Sequence, residues 1–196
     1  MRIDEGDIVG GFERSYDAWT VEDANTPMMR VIAASTGLRL DNCVTVEVAL
    51  ENETSWTRGY SASFSQELST CIFTTPNPQI LGVRIRGVVF AVDIAHPDEP
   101  VELGILPVAC AASDISGGRM FLASDTEVYA FDGVRVLWES RRVSLDGIRD
   151  LSYFDGRVHG VATDVGVDAV PFDIDAETGK AKGGFEGWRG LQRLDD

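Results

Sequence analysis

The stretch Glu127-Val128-Tyr129-Ala130-Phe131-Asp132-Gly133 decides how the rest of this chain reads. In an extended strand successive side chains alternate, so Val128 and Ala130 share one face and Tyr129 and Phe131 the other. Both faces are apolar, as expected of a sheet with neighbours on either side. Just upstream, Arg119-Met120-Phe121-Leu122-Ala123-Ser124 is a second strand-like run, with Asp125-Thr126 between the two as a tight hairpin turn. The box recurs as Val88-Val89-Phe90-Ala91-Val92-Asp93-Ile94 and as Asp168-Ala169-Val170-Pro171-Phe172-Asp173-Ile174. Its closing aspartates, Asp93, Asp132 and Asp173, are separated by 39 and then 41 residues. A period near 40 in strand-like sequence predicts stacked antiparallel sheets of the propeller kind.

The repeat extends beyond the box. Each copy is preceded by a turn and an apolar strand: Pro78-Gln79-Ile80-Leu81, Gly118-Arg119-Met120-Phe121 and Gly156-Arg157-Val158-His159. Earlier still come short strands near Cys71-Ile72-Phe73, Cys110-Ala111-Ala112 and Asp150-Leu151-Ser152-Tyr153, and after the box a fourth near Val101–Leu106, Val134–Trp138 and Ala181–Phe185. Each unit therefore reads as a four-stranded antiparallel meander punctuated by Gly, Asp and Pro. Helical periodicity is missing from residues 71–196.

The pattern carried by Gly118–Asp132 and Val134–Trp138 resembles a blade of the PQQ-type and related β-propellers, and Asp175-Ala176-Glu177-Thr178-Gly179-Lys180 is similar to a hairpin common between the outer strands of such blades. The resemblance covers about residues 71–185 and implies the blade shape, without the family's activities. The first copy lacks the Gly-Arg pair, and three units are fewer than a closed ring uses.

The first 70 residues read as a degenerate N-terminal sheet, with strands at Met29–Ser35 and Val44–Leu50 and a further one near Tyr60–Ser65. The expected fold is all-β: a propeller-like toroid with few blades, its ring closed by the end strand near Phe185 and Trp188 pairing with the N-terminal segment. A β-sandwich of the same meanders is the alternative. No linker separates domains, so 1–196 reads as one domain, with three repeats over 71–185 and a C-terminal tail at 186–196.

Composition bounds the function. The formal charge is −15, from 17 Lys+Arg against 32 Asp+Glu. The acid is spread, with 5 basic and 12 acidic groups in residues 1–70 and 12 and 20 in the remainder. Such a surface repels phosphate backbones and anionic lipid, which argues against nucleic-acid or membrane partners. It attracts a basic protein, and it also simply keeps a protein soluble. Only Lys180 and Lys182 are lysines. Cys43, Cys71 and Cys110 form no Cys-x-x-Cys motif and cannot all pair, so free thiols in a reducing compartment are expected. The N-terminus lacks the basic start and apolar run of a signal peptide, and no apolar run is long enough to span a bilayer, which makes a cytoplasmic protein the expectation.

Residues that could carry chemistry are few. His96 lies in a proline-bounded acidic turn and His159 in a strand; two imidazoles without a carboxylate cluster at ligand spacing do not predict a metal site. Asp173, Asp175 and Glu177 alternate as in a calcium loop, but Thr178 and Gly184 stand where such a loop needs its glycine and its final glutamate. No nucleophile elbow, zinc-protease motif or phosphate loop occurs, and no cofactor is expected. Trp56 with Tyr60 could form part of a binding rim, against the plainer alternative of aromatics plugging loops over the core. His159, Asp164 and Asp168 are polar groups near strand ends of the third repeat.

These features favour a non-enzymatic binding module, in its most concrete version an acidic immunity-type inhibitor of a basic partner protein. The alternative is a small-ligand binder or enzyme using a cleft or central funnel of the toroid. A third reading is a subunit whose open sheet edge is completed by another copy.

Overall fold

Runs with period-2 alternation become strands here, and each sheet then needs a second apolar surface to bury its own. The computed structural model describes residues 11–21, 31–33, 43–62, 68, 70–105, 107–164 and 167–185; these hold sixteen strands and no helix. The first sheet contains β1 (Tyr16–Val21), β2 (Val31–Ala33), β3 (Cys43–Leu50) and β4 (Ser55–Ser61), in the order β1-β3-β4-β2. The second runs β5 (Cys71–Thr74), β6 (Ile80–Ile85), β7 (Val88–Asp93), β8 (Val101–Glu102). The third runs β9 (Cys110–Asp114), β10 (Arg119–Ala123), β11 (Val128–Phe131), β12 (Val136–Glu139). The fourth runs β13 (Ile148–Phe154), β14 (Arg157–Asp164), β15 (Val167–Asp175), β16 (Ala181–Gly183). The last three are antiparallel meanders in chain order, as the repeat predicts. The first departs from that plan, because β2 pairs with β4 in parallel.

Alternation divides each sheet between two apolar interfaces, so the sheets pack face to face in sequence. Leu81, Val83, Ile85, Phe90 and Val92 of the second sheet meet Tyr16, Val46, Val48 and Tyr60 of the first. The opposite side of the second sheet, with Phe73, Val89 and Ala91, meets Met120, Leu122 and Phe131 of the third. Phe121, Ala123, Val128 and Ala130 on the third sheet's other side meet Val158, Ala162, Phe172 and Ile174 of the fourth. Val128 and Ala130 thus share one face and Phe131 the other, as the alternation requires.

The units superpose with one shift. The first residue of β6, Ile80, pairs with Asp93, and the first residue of β14, Arg157, pairs with Asp175. Met120 pairs with Phe131, which sets Arg119 opposite Asp132. The structural counterparts are therefore Asp93, Asp132 and Asp175, not Asp173. Each of the three turns the chain in the same way. Its Oδ1 accepts the N–H two residues on, from Ala95, Val134 and Glu177 respectively. The third box is two residues longer before its turn, and a two-residue shift leaves every side chain on its original face.

Closure by the chain ends takes a different form from the expected one. β16 pairs with β15 of its own sheet, and Phe185 donates its N–H to Val143 O while packing between the third and fourth sheets. Trp188 and the 186–196 tail lie outside the described residues. Cys43, Cys71 and Cys110 are free. No helix among the described residues is long and apolar enough to cross a membrane.

Candidate functional site

The fourth sheet has a neighbour on one face only. Counting from the strand starts, the positions that carry Phe121, Ala123, Ala130 and Val128 in the third sheet carry His159, Val161, Asp173 and Pro171 in the fourth. In the third sheet these positions are buried against the next sheet. In the fourth they form an outer face, on which Pro171, Arg149 and Ser152 are exposed. Phe154, 60% exposed, stacks on the His159 ring with centroids 4.0 Å apart and planes 14° from parallel. His159 stands directly opposite Asp173, whose carboxylate pairs with the Arg157 guanidinium. Its Nε2 is buried and has no hydrogen-bond partner among the described residues.

The inner side explains why this strand pair holds its shape. Gly160 lies opposite Phe172, and a Cβ there would sit 2.4 Å from the Phe172 ring. Glycine is needed for that ring to lie flat on the strand.

At the outer rim of the open face lies a groove of about 630 Å³ lined by Arg141, Arg157, Asp175, Gly179, Lys180, Ala181 and Lys182. Arg141 reaches it from the connection after β12, with Nη2 donating to Gly183 O at 2.8 Å. Asp175 is occupied with its turn: Oδ1 accepts the Thr178 hydroxyl (2.8 Å) and the Glu177 and Thr178 N–H groups (3.2 and 2.9 Å). These bonds, the Thr178 hydroxyl first, hold the Asp175 carboxyl below its ordinary pKa. Gly179, with φ of +70°, takes the left-handed bend that brings its backbone against the Trp138 ring.

A second polar cluster joins the third and fourth sheets. Asp114, only 1% exposed, accepts from Arg119 Nη2 (2.7 Å), the Gly117 N–H (2.8 Å) and the Ser116 hydroxyl (3.0 Å). Arg119 continues across the interface to Ala176 O at 3.1 Å and Glu177 Oε1 at 2.7 Å. Trp138 Nε1 donates to the same Ala176 carbonyl at 3.0 Å. Burial alone would raise the Asp114 pKa, but Arg119, the Gly117 N–H, Ser116 and Tyr153 together bring it below the usual carboxylate range. The Gly-Arg pair of the repeat is thus a latch between neighbouring sheets.

The residues singled out from sequence fall in two places. His159 lies on the open face. Asp164 ends β14, and Asp168 lies in β15 with its side chain outside the described residues. Trp56 and Tyr60 stand apart from them, in β4 on the side facing the second sheet. Tyr60 is 1% exposed and its hydroxyl donates to Pro97 O; burial pushes its pKa well up, with Asp98 adding to the rise and Arg58 opposing it. Trp56 Nε1 donates to Ile94 O at 3.0 Å. Both clamp the turn after β7 onto the first sheet, and Arg58 adds an ion pair to Asp98 at 2.8 Å. Trp56→Phe keeps the ring and removes the donor, so it is expected to cost about 1 kcal/mol in a denaturant titration. A change indistinguishable from zero would show that water replaces the bond freely.

Sequence reasoning missed Arg141, Arg157 and Phe154. Arg141 and Arg157 are nearly forty residues from the lysines they join, or part of an unrelated turn, and the only early signal was that both lysines of the chain fall within three residues of each other.

No family profile and no curated protein matches this chain. Among solved structures, the WD40 β-propeller domain of Doa1 superposes with a TM-score of 0.41 at 12% identity, over 76% of this chain and 52% of the other. A chain of a nidogen/laminin complex superposes with a TM-score of 0.38 at 11% identity, over 70% of this chain and 56% of that one. The chain thus spans about half the length of the solved chains it resembles.

Proposed function

We propose that this chain is a protein-binding module whose contact surface is the outer face of its fourth sheet. The observation that carries the reading is the exposed Phe154 ring stacked on His159, at positions whose counterparts in the preceding sheet are core. An aromatic centre rimmed by Arg149, Arg157 and Lys182 has the composition of an interface, where aromatics and arginine dominate the energetics. The formal charge of −15 acts earlier, on encounter, and favours a basic partner over an acidic one. An immunity-type inhibitor of a basic protein is the concrete form of that preference.

Phe154→Asp tests the reading. Phe154 is exposed, so the variant should fold, and it should lose the proteins that the unaltered chain retains from its native cells. Retention of the same proteins by both forms would remove the proposed surface. For the basic-partner version, association should slow as salt rises and screening shortens to about 8 Å. A salt-independent association rate would sink that version and leave the module.

A further inference from the structure

The groove at the rim of the fourth sheet reverses the sign of the molecule. The whole chain carries −15, yet Arg141, Arg157, Lys180 and Lys182, including both lysines of the protein, line one depression of about 630 Å³. The hairpin that supplies the lysines is itself rich in acid: Asp173-Ile174-Asp175-Ala176-Glu177-Thr178-Gly179-Lys180-Ala181-Lys182. Lysines in such a segment would ordinarily be neutralised by the carboxylates beside them. Here all three acids are engaged elsewhere. Asp173 pairs with Arg157, Asp175 accepts three bonds from its own turn, and Glu177 crosses to Arg119 on the third sheet. Lys180 and Lys182 are exposed and have no ion-pair partner among the described residues.

We infer that this groove binds a small multivalent oxyanion, a compound bearing phosphate or clustered carboxylate groups. Two ammonium groups and two guanidinium groups supply donors of both geometries that recognise such anions, point charges from lysine and planar forks from arginine. The volume falls in the range of small-ligand sites. Charge elsewhere on the surface does not forbid it, because exposed charges beyond about 8 Å are screened at physiological ionic strength. The same remote charge does oppose an extended polyanion, whose flanking phosphates would run over acidic surface, so a nucleic acid is a poor fit. The inference stands apart from the protein-binding reading: Phe154, which carries that reading, is not among the groove residues.

The experiment is a calorimetric titration of the full chain with pyrophosphate and, separately, with citrate, repeated on Lys180→Gln/Lys182→Gln and on Phe154→Asp. Both lysines are exposed, so the double variant is expected to keep the thermal midpoint of the unaltered protein without ligand. Saturable binding by the unaltered chain and by Phe154→Asp, weakened at least about ten-fold in the double variant, supports the site. A response to pyrophosphate alone identifies phosphate as the recognised group, and a response to both identifies clustered charge. No saturable heat up to millimolar ligand overturns the inference, as does equal binding by the double variant or the same response to sodium chloride at matched ionic strength.

Discussion

Phe121→Ala should destabilise the protein by about 3–5 kcal/mol, the range for removing a fully buried aromatic ring from a core. Phe121 is 0% exposed, and its ring sits 5.4 Å from that of Tyr153 and 5.8 Å from that of Trp138. Those neighbours come from the fourth sheet and from the outer strand of its own, so the ring holds an interface as well as filling a sheet. For a chain of this size each kcal/mol lowers the midpoint by roughly 2–4 °C, so a loss of at least about 6 °C is expected in a thermal melt. Val134→Ala is the control: Val134 is 65% exposed, and the change should stay within about 0.5 kcal/mol. If Phe121→Ala fell in that same narrow range, the third and fourth sheets would not share a packed core.

Asp114→Ala should cost about 3 kcal/mol, since removing one partner of a buried ion pair leaves the other charge uncompensated. The cost is held to the lower part of that range because Arg119 is 14% exposed and keeps Glu177. The same carboxylate predicts a pH dependence. Its folded pKa lies below the unfolded value near 3.9, so its contribution is fully present above that value. It is lost as pH falls through the depressed folded pKa, when the native state must take up the proton. Stability measured from pH 7 down to 2 should therefore fall more steeply for the unaltered protein than for Asp114→Ala at the acid end. Parallel curves would show that Asp114 titrates alike in both states.

The three meanders were legible because their sequence does two things at once. Box residues such as Val128-Tyr129-Ala130-Phe131 alternate between two apolar sets, and turn-forming residues stop each run at a repeated interval. That pairing of periods reveals a stack but not its register. Asp173 looked equivalent to Asp132 because a shift of two preserves alternation, and only the pairing of Arg157 with Asp175 separates the candidates. β1 passed unread because Tyr16-Asp17-Ala18-Trp19-Thr20-Val21 puts a large aromatic on its outer side, where Trp19 Nε1 bonds Glu47 at 3.1 Å. The candidate site was only half visible. His159 was noticed for its chemistry, but its exposure depends on which sheet ends the stack. The cationic groove gathers residues from separate turns, and no local pattern announces such a meeting.

The first sheet's strand order has a consequence for how the chain comes off the ribosome. In the other three sheets every strand finds its partner in the segment made immediately before it, so each can zip up as it emerges. β2 must instead wait, unpaired, until β3 and β4 have been synthesised and have formed a hairpin, because its hydrogen-bonding edge belongs to β4. The part of the protein translated first is therefore among the later parts to be finished. In the interval β4 offers a bare edge to any other nascent strand nearby, which makes it the place where chaperone protection matters most during synthesis.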